Sequence, residues 1–182
     1  MPTQPTKDDH QALRDVQLLV FDFDGVWTTN QVLVMEDGRE GVLCNRSDGL
    51  GVGMLRESGL AMLVLSAEVN PVVSARCEKL RVPCVQGRSD KAAALADILK
   101  ERKILPEQAA YVGNDVNDLP CMRVVGVSIA VSDAWEGVGD EADFVTRRAG
   151  GFGAVREVCE WFLAARAAGG MTGAASRSGT RT

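Results

Sequence analysis

A parallel α/β sheet with helices on both faces is predicted for this chain, and three observations carry the prediction. Short apolar runs alternate with longer segments of helical periodicity. The first run, Leu18-Leu19-Val20-Phe21, is apolar at every position, as in a strand buried on both faces. The runs then stop at carboxylates, hydroxyls or glycines, which puts polar chemistry at the carboxyl edge of the sheet, where open α/β folds bind their ligands.

Strands read at 17–22, 61–65, 83–86, 109–113 and 126–130, with a weaker one at 143–146. Helical windows read at about 48–58, 70–81, 90–102, 116–123 and 153–166. Asn70-Pro71 and the stretch Ser89 to Lys91 are helix starts, and Gly59 is a helix stop. One segment breaks the rhythm. Residues 31–35 and 40–44, joined by Glu36-Asp37-Gly38-Arg39, read as a β-hairpin with an Asp-Gly turn. It follows the first strand directly, so it should stand over the sheet edge as a flap. A lone two-stranded ribbon is marginally stable, so the hairpin is expected to pack against another subunit.

The chain of 182 residues, 46% apolar, suits a single domain over residues 15–167. Residues 1–14 read as a disordered leader, and residues 168–182, rich in Gly, Ser, Thr and Arg, as a disordered tail. A net charge of −5 and a pI near 5.0 disfavour a nucleic-acid partner, which would need a basic face. No apolar run reaches the ~18 residues of a membrane span, and the polar N-terminus has no signal-peptide core. The five cysteines are scattered without a C-x-x-C pair, which fits reduced thiols in a cytoplasmic protein. His10 falls in the polar leader and reads as a bystander.

Four strand ends carry the chemistry. After the first run come Asp22, Phe23, Asp24 and Gly25, and the two-residue spacing projects both carboxylates to one side. Like charges so close need a cation between them or a shared proton. One carboxylate can attack a phosphoryl group while the other moves a proton, with a divalent cation offsetting the charge. A plain turn closing the strand is an equal rival. The run Leu63-Val64-Leu65 ends at Ser66, a phosphate donor or an ordinary cap. Lys91 opens a helix, where it opposes the dipole unless it serves an anion; a solvated lysine is the plainer reading. Tyr111-Val112-Gly113 runs into Asn114, Asp115, Asn117 and Asp118, oxygen donors suited to Mg²⁺ or an Asx-rich turn.

The four ends in this order resemble the haloacid dehalogenase superfamily of phosphatases over residues 16–165. The segments are DFDGVWT at 22–28, the hairpin, NRSDGLG at 45–51, LSAE at 65–68, SDK at 89–91, YVGNDVND at 111–118 and AGGFGAVREV at 149–158. Within it the chain looks like the capless group acting on eight- or nine-carbon keto-deoxy sugar phosphates. The resemblance implies a Rossmann-like fold with no large cap domain, a homotetramer with the hairpins at its centre, and a Gly-rich segment approaching a neighbour's site. It implies Asp22 as nucleophile, Asp24 as general acid and base, Ser66 and Lys91 on the phosphate, and Mg²⁺ held by Asp22, Asp24, Asn114 and Asp115. Two positions depart from the pattern: Asn114 stands where an Asp is usual and brings no charge, and Phe152 stands where related sugar phosphatases often have Arg.

For the substrate, Glu68 with Arg76 and Lys79 resembles the branch acting on 2-keto-3-deoxynonulosonate 9-phosphate, and Ser47 and Asp48 lean the same way. Arg76 and Lys79 share a helix face at i and i+3, where basic groups can pair with a sugar carboxylate; a solvated helix face is the bland alternative. The expectation is a Mg²⁺-dependent phosphatase for an acylneuraminate-like 9-phosphate. The alternatives are 3-deoxy-manno-octulosonate 8-phosphate and, in another class, a weakly active oligomerisation partner like the domain appended to acylneuraminate cytidylyltransferases.

Overall fold

A computed structural model describes residues 4–174. The chain runs through α1 (His10–Asp15), β1 (Leu18–Phe21), β2 (Thr28–Val34), β3 (Glu40–Cys44), α2 (Arg46–Glu57), β4 (Ala61–Leu65), α3 (Pro71–Leu80) and β5 (Cys84–Val85). It continues through α4 (Lys91–Arg102), β6 (Ala109–Gly113), α5 (Leu119–Met122), β7 (Val127–Ala130), β8 (Phe144–Val145) and α6 (Ala154–Ala174). Six strands form one parallel sheet in the order β5-β4-β1-β6-β7-β8, and β2 with β3 makes a separate antiparallel pair.

Alternation along the central strand sorts the helices onto the two faces. Leu19 and Phe21 pack with Leu13 of α1, Leu55 of α2, Val73 of α3 and Phe162 of α6. Leu18 and Val20 face the other way, onto Leu95 and Leu99 of α4 and Met122 of α5. The helix starts follow the sequence: Asn70 Oδ1 accepts from Val72 N at 3.0 Å ahead of Pro71, and Asp90 Oδ1 accepts from Ala93 N at 3.0 Å. From β1 the chain winds first to β4 and β5, then crosses back to β6, so the crevice between the carboxyl ends of β1 and β6 is the topological switch point.

The hairpin forms at the expected turn, with Gly38 at φ +81° and Met35 N donating to Arg39 O at 2.8 Å. Its outer residues Val32, Leu33, Val34 and Leu43 are all more than half exposed.

Three expectations need correction. The leader is not irregular throughout: α1 occupies its end, and Leu13 is fully buried. Leu13 and Val16 are both core residues, and α1 docks on α6, a gain that the polar composition of residues 1–14 conceals. The tail expected from 168 begins inside α6, which runs to Ala174; residues 175–182 lie outside the described residues. The Ala-rich stretch before Gly169 favours helix, and it outlasts the first glycines. The helix expected at 116–123 shrinks to the single turn of α5, because Asp115 to Asp118 form a hydrogen-bonded turn instead.

Candidate active site

β1 ends in Asp22, which is 5% exposed, and its Oδ1 lies 2.7 Å from Lys91 Nζ. Lys91 opens α4 from the opposite face of the sheet and is itself 3% exposed, so the solvated reading of this lysine is overturned. A second carboxylate explains how it is held: Asp118 Oδ1 lies 2.8 Å from the same Nζ. Burial alone would lower the Lys91 ammonium, but Asp22 and Asp118 outweigh it and hold its pKa above the usual value. Burial and the Asp118 charge push Asp22 up to about 7 in spite of the lysine. Two carboxylates and one ammonium leave the ionised cluster with one negative charge in excess, a deficit that a cation would relieve.

Asp24 lies half-buried beyond Phe23, and Gly25 follows at φ +75°. Burial first, then the neighbouring Glu68, holds the Asp24 carboxyl above its ordinary pKa, a shift that suits a group required to donate a proton. Ser66 ends β4, 1% exposed; its Oγ accepts from Glu68 N at 3.1 Å, leaving its own hydrogen free to donate.

Asp118, which the sequence offers as one of the oxygen donors suited to Mg²⁺, organises the end of β6. Its Oδ2 accepts from Asn114 N at 2.9 Å and Asp115 N at 3.2 Å, and its Oδ1 accepts from Tyr111 OH at 2.8 Å. The only hint in the sequence is an Asp placed just before Leu119-Pro120, a helix start.

Asn114 is buried, and its Oδ1 has no hydrogen-bond partner. A Cβ on Gly25 would lie 2.1 Å from Asn114 Nδ2, so only glycine lets the two strand-end loops meet this closely. The orphaned amide oxygen of Asn114 and the carboxylates of Asp22 and Asp24, which follow the paired strands β6 and β1, are hard oxygens of the kind a small divalent cation takes. Among the described residues no three His, Cys, Asp or Glu side chains come together as a metal site. Asp115 Oδ1 accepts from Val116 N at 2.7 Å.

The residues expected to bind the sugar are not gathered in one place. Glu68 lines a cavity of about 290 Å³ with Asn30, Glu40, Asn70 and Asp24, the expected general acid and base. Its Oε1 accepts from Val69 N at 2.7 Å and Asn70 N at 2.9 Å, which steadies the approach to α3. Arg76 and Lys79 line a separate cavity of about 710 Å³ behind β3. There Arg76 Nη2 donates to Asn45 O at 3.0 Å, tying α3 to the start of α2. Ser47 is exposed on the first turn of α2, its Oγ on Asn45 Oδ1 at 2.8 Å. Asp48 is fully buried, with Oδ1 accepting from Arg156 N at 2.9 Å at the start of α6 and Oδ2 without a hydrogen-bond partner. Burial pushes its carboxyl up to about 6.

The Gly-rich segment folds onto its own chain. Gly151 N donates to Val26 O at 3.1 Å, Gly150 N to Asp133 Oδ1 at 2.8 Å, and a Cβ on Gly150 would lie 1.7 Å from Gly25 O. Phe152 is 60% exposed at the end of this loop.

Comparison with known proteins is consistent with this geometry. A family model described as haloacid dehalogenase-like hydrolase matches residues 78–157. The 3-deoxy-D-manno-octulosonate 8-phosphate phosphatase of Salmonella typhi is 39% identical over 153 residues, 84% of this chain and 81% of that protein. Its counterpart from Yersinia pestis is 36% identical over 164 residues, covering 89% of this chain and 88% of that protein. Among solved structures, the phosphatase of the same name from Moraxella catarrhalis, in complex with a magnesium ion, a phosphate ion and a KDO molecule, aligns at TM-score 0.86. It is 30% identical and covers 95% of this chain and 100% of that one.

Proposed function

Given that the chain belongs to the haloacid dehalogenase-like hydrolases, as a capless sugar-phosphate phosphatase, we propose that its substrate is 3-deoxy-D-manno-octulosonate 8-phosphate. The relatives of known activity act on that octulosonate, which favours it over the nonulosonate 9-phosphate that Glu68, Arg76 and Lys79 suggest.

The observation that carries a phosphoryl-transfer site is the buried Asp22–Lys91–Asp118 cluster at the switch point. Asp22 attacks phosphorus and forms an aspartyl-phosphate, while Asp24 gives its proton to the departing sugar alkoxide. Asp24 then takes a proton from water, whose oxygen attacks the same phosphorus, breaks the acyl-phosphate bond and returns Asp22 as a carboxylate. Ser66 and Lys91 donate to the phosphoryl oxygens throughout. Asp22, Asp24 and Asn114 would hold Mg²⁺, which when bound offsets the charge shared by carboxylate and phosphoryl group. The neutral Asn114 predicts weaker metal binding than an aspartate there.

The exposed apolar hairpin supports a homotetramer, with β2 and β3 covered by other copies. Among the described residues no helix is long and apolar enough to cross a membrane. The paired, buried Asp22 and Lys91 argue against a pure assembly role, for which such a cluster has no use.

The test is phosphate release from a panel of 8- and 9-phosphorylated keto-deoxy sugars, with Mg²⁺ and with a chelator. The octulosonate 8-phosphate should be the best substrate and the chelator should abolish turnover. Preference for a 9-phosphate would overturn the substrate, and no release from any sugar phosphate would overturn the enzyme.

A further inference from the structure

Asp118 is fully saturated, and what saturates it links the two halves of the site. Its Oδ1 receives hydrogen bonds from Lys91 Nζ and Tyr111 OH, both at 2.8 Å, and its Oδ2 receives Asn114 N and Asp115 N. One carboxylate thus holds both Lys91 and the backbone of Asn114, the residue whose buried side-chain oxygen has no hydrogen-bond partner. Of its four donors two are backbone amides of the turn itself, and Lys91 is shared with Asp22 at 2.7 Å. Tyr111 is the remaining one. Its ring is fully buried in the core on the α4 and α5 face, and it is the single tyrosine of the chain.

Resting on the phosphoryl-transfer reading above, we propose that Tyr111 is a positioning residue: its hydroxyl holds Asp118 so that Lys91 and Asn114 stay in register. Lys91 has three hydrogens to donate. When a phosphoryl group arrives, the ammonium divides them among Asp22, Asp118 and the new oxygens, and its grip on Asp118 loosens. The phenol, rigid in its packing and with no other carboxylate to serve, keeps the shared oxygen in place at that moment. Burial and the adjacent Asp118 hold the phenol well above its ordinary pKa, so it remains a donor.

Tyr111→Phe removes the hydroxyl and keeps the ring. Calorimetry on the full chain, with Mg²⁺ alone and then with inorganic phosphate in saturating Mg²⁺, reads the effect without turnover. Both affinities should weaken together by about three- to tenfold, the range expected of one hydrogen bond. Asp118→Asn should weaken both further, and Tyr111→Phe should then add nothing to it. Unchanged affinities in Tyr111→Phe, a loss of only one of the two, or full additivity with Asp118→Asn would overturn the proposal. If Tyr111→Phe does not fold, 3-fluorotyrosine introduced at this sole tyrosine makes the hydroxyl a stronger donor. Both affinities should then tighten together, and no change would overturn the proposal. A wild-type chain that binds Mg²⁺ and phosphate yet cleaves no sugar phosphate would sink the functional reading and leave this one standing.

Discussion

The switch-point cluster and the hairpin are built on opposite terms. Asp22, Lys91 and Asp118 are charged and almost wholly buried, each held by another member drawn from a distant part of the chain. Val32, Leu33, Val34 and Leu43 are apolar and exposed, and a side-chain bond from Asn70 Nδ2 to Glu40 Oε2, 2.8 Å long, joins β3 to the start of α3. Charge inside and oil outside invert the usual order of a folded domain. In the first region the inversion is tolerated because both carboxylates share the Lys91 ammonium and a parallel sheet surrounds them, with one negative charge left for a cation to offset. In the second it has no compensation within the chain, which is how a surface that belongs under another subunit looks. The charged groups are thus placed where packing is complete, and the apolar ones where nothing in this chain covers them.

The contrast sets the expected effects of substitution. Lys91→Met should be the most severe: it leaves Asp22 and Asp118 as facing buried carboxylates, costing about 3–5 kcal/mol of stability along with activity. Chemical denaturation measures it, and a variant as stable as wild type would break the account of the cluster. Asp22→Asn should abolish phosphate release and leave the fold intact, since it removes a charge from a cluster that has one negative charge in excess. Full residual turnover would refute the nucleophile. Leu33→Glu on the hairpin should do the reverse. Light scattering should report dissociation of the tetramer, while the stability of each protomer changes by no more than about 0.5 kcal/mol. A wild-type monomer, or a variant that remains tetrameric, would remove the assembly half of the comparison.

Much of the fold was legible because local and global signals agree. The apolar run at 18–21 became the central strand, the Asp37-Gly38 turn closed the hairpin, and Asn70 and Asp90 capped the helices that their side chains announce. Where the reading failed, the cause lay in contacts between remote segments. Leu13 looked like part of a polar leader because its burial comes from α6, far along the chain. Arg76 and Lys79 do share a helix face, yet that face looks into a different cavity from the one beside Asp24.

By itself the sequence determined the strand ends and the kinds of atom found there, because periodicity and turn chemistry are properties of neighbouring residues. Asp22, Ser66 and Asn114 could be placed at one sheet edge on that basis alone. Only the tertiary structure decided that Lys91 is buried, that Asp118 with Tyr111 holds it, and that Asn114 keeps an oxygen free. The physical reason is that burial and charge pairing depend on which elements meet across the sheet. The choice between a solvated lysine and a clamped one is made by α4 docking beside β1 and β6.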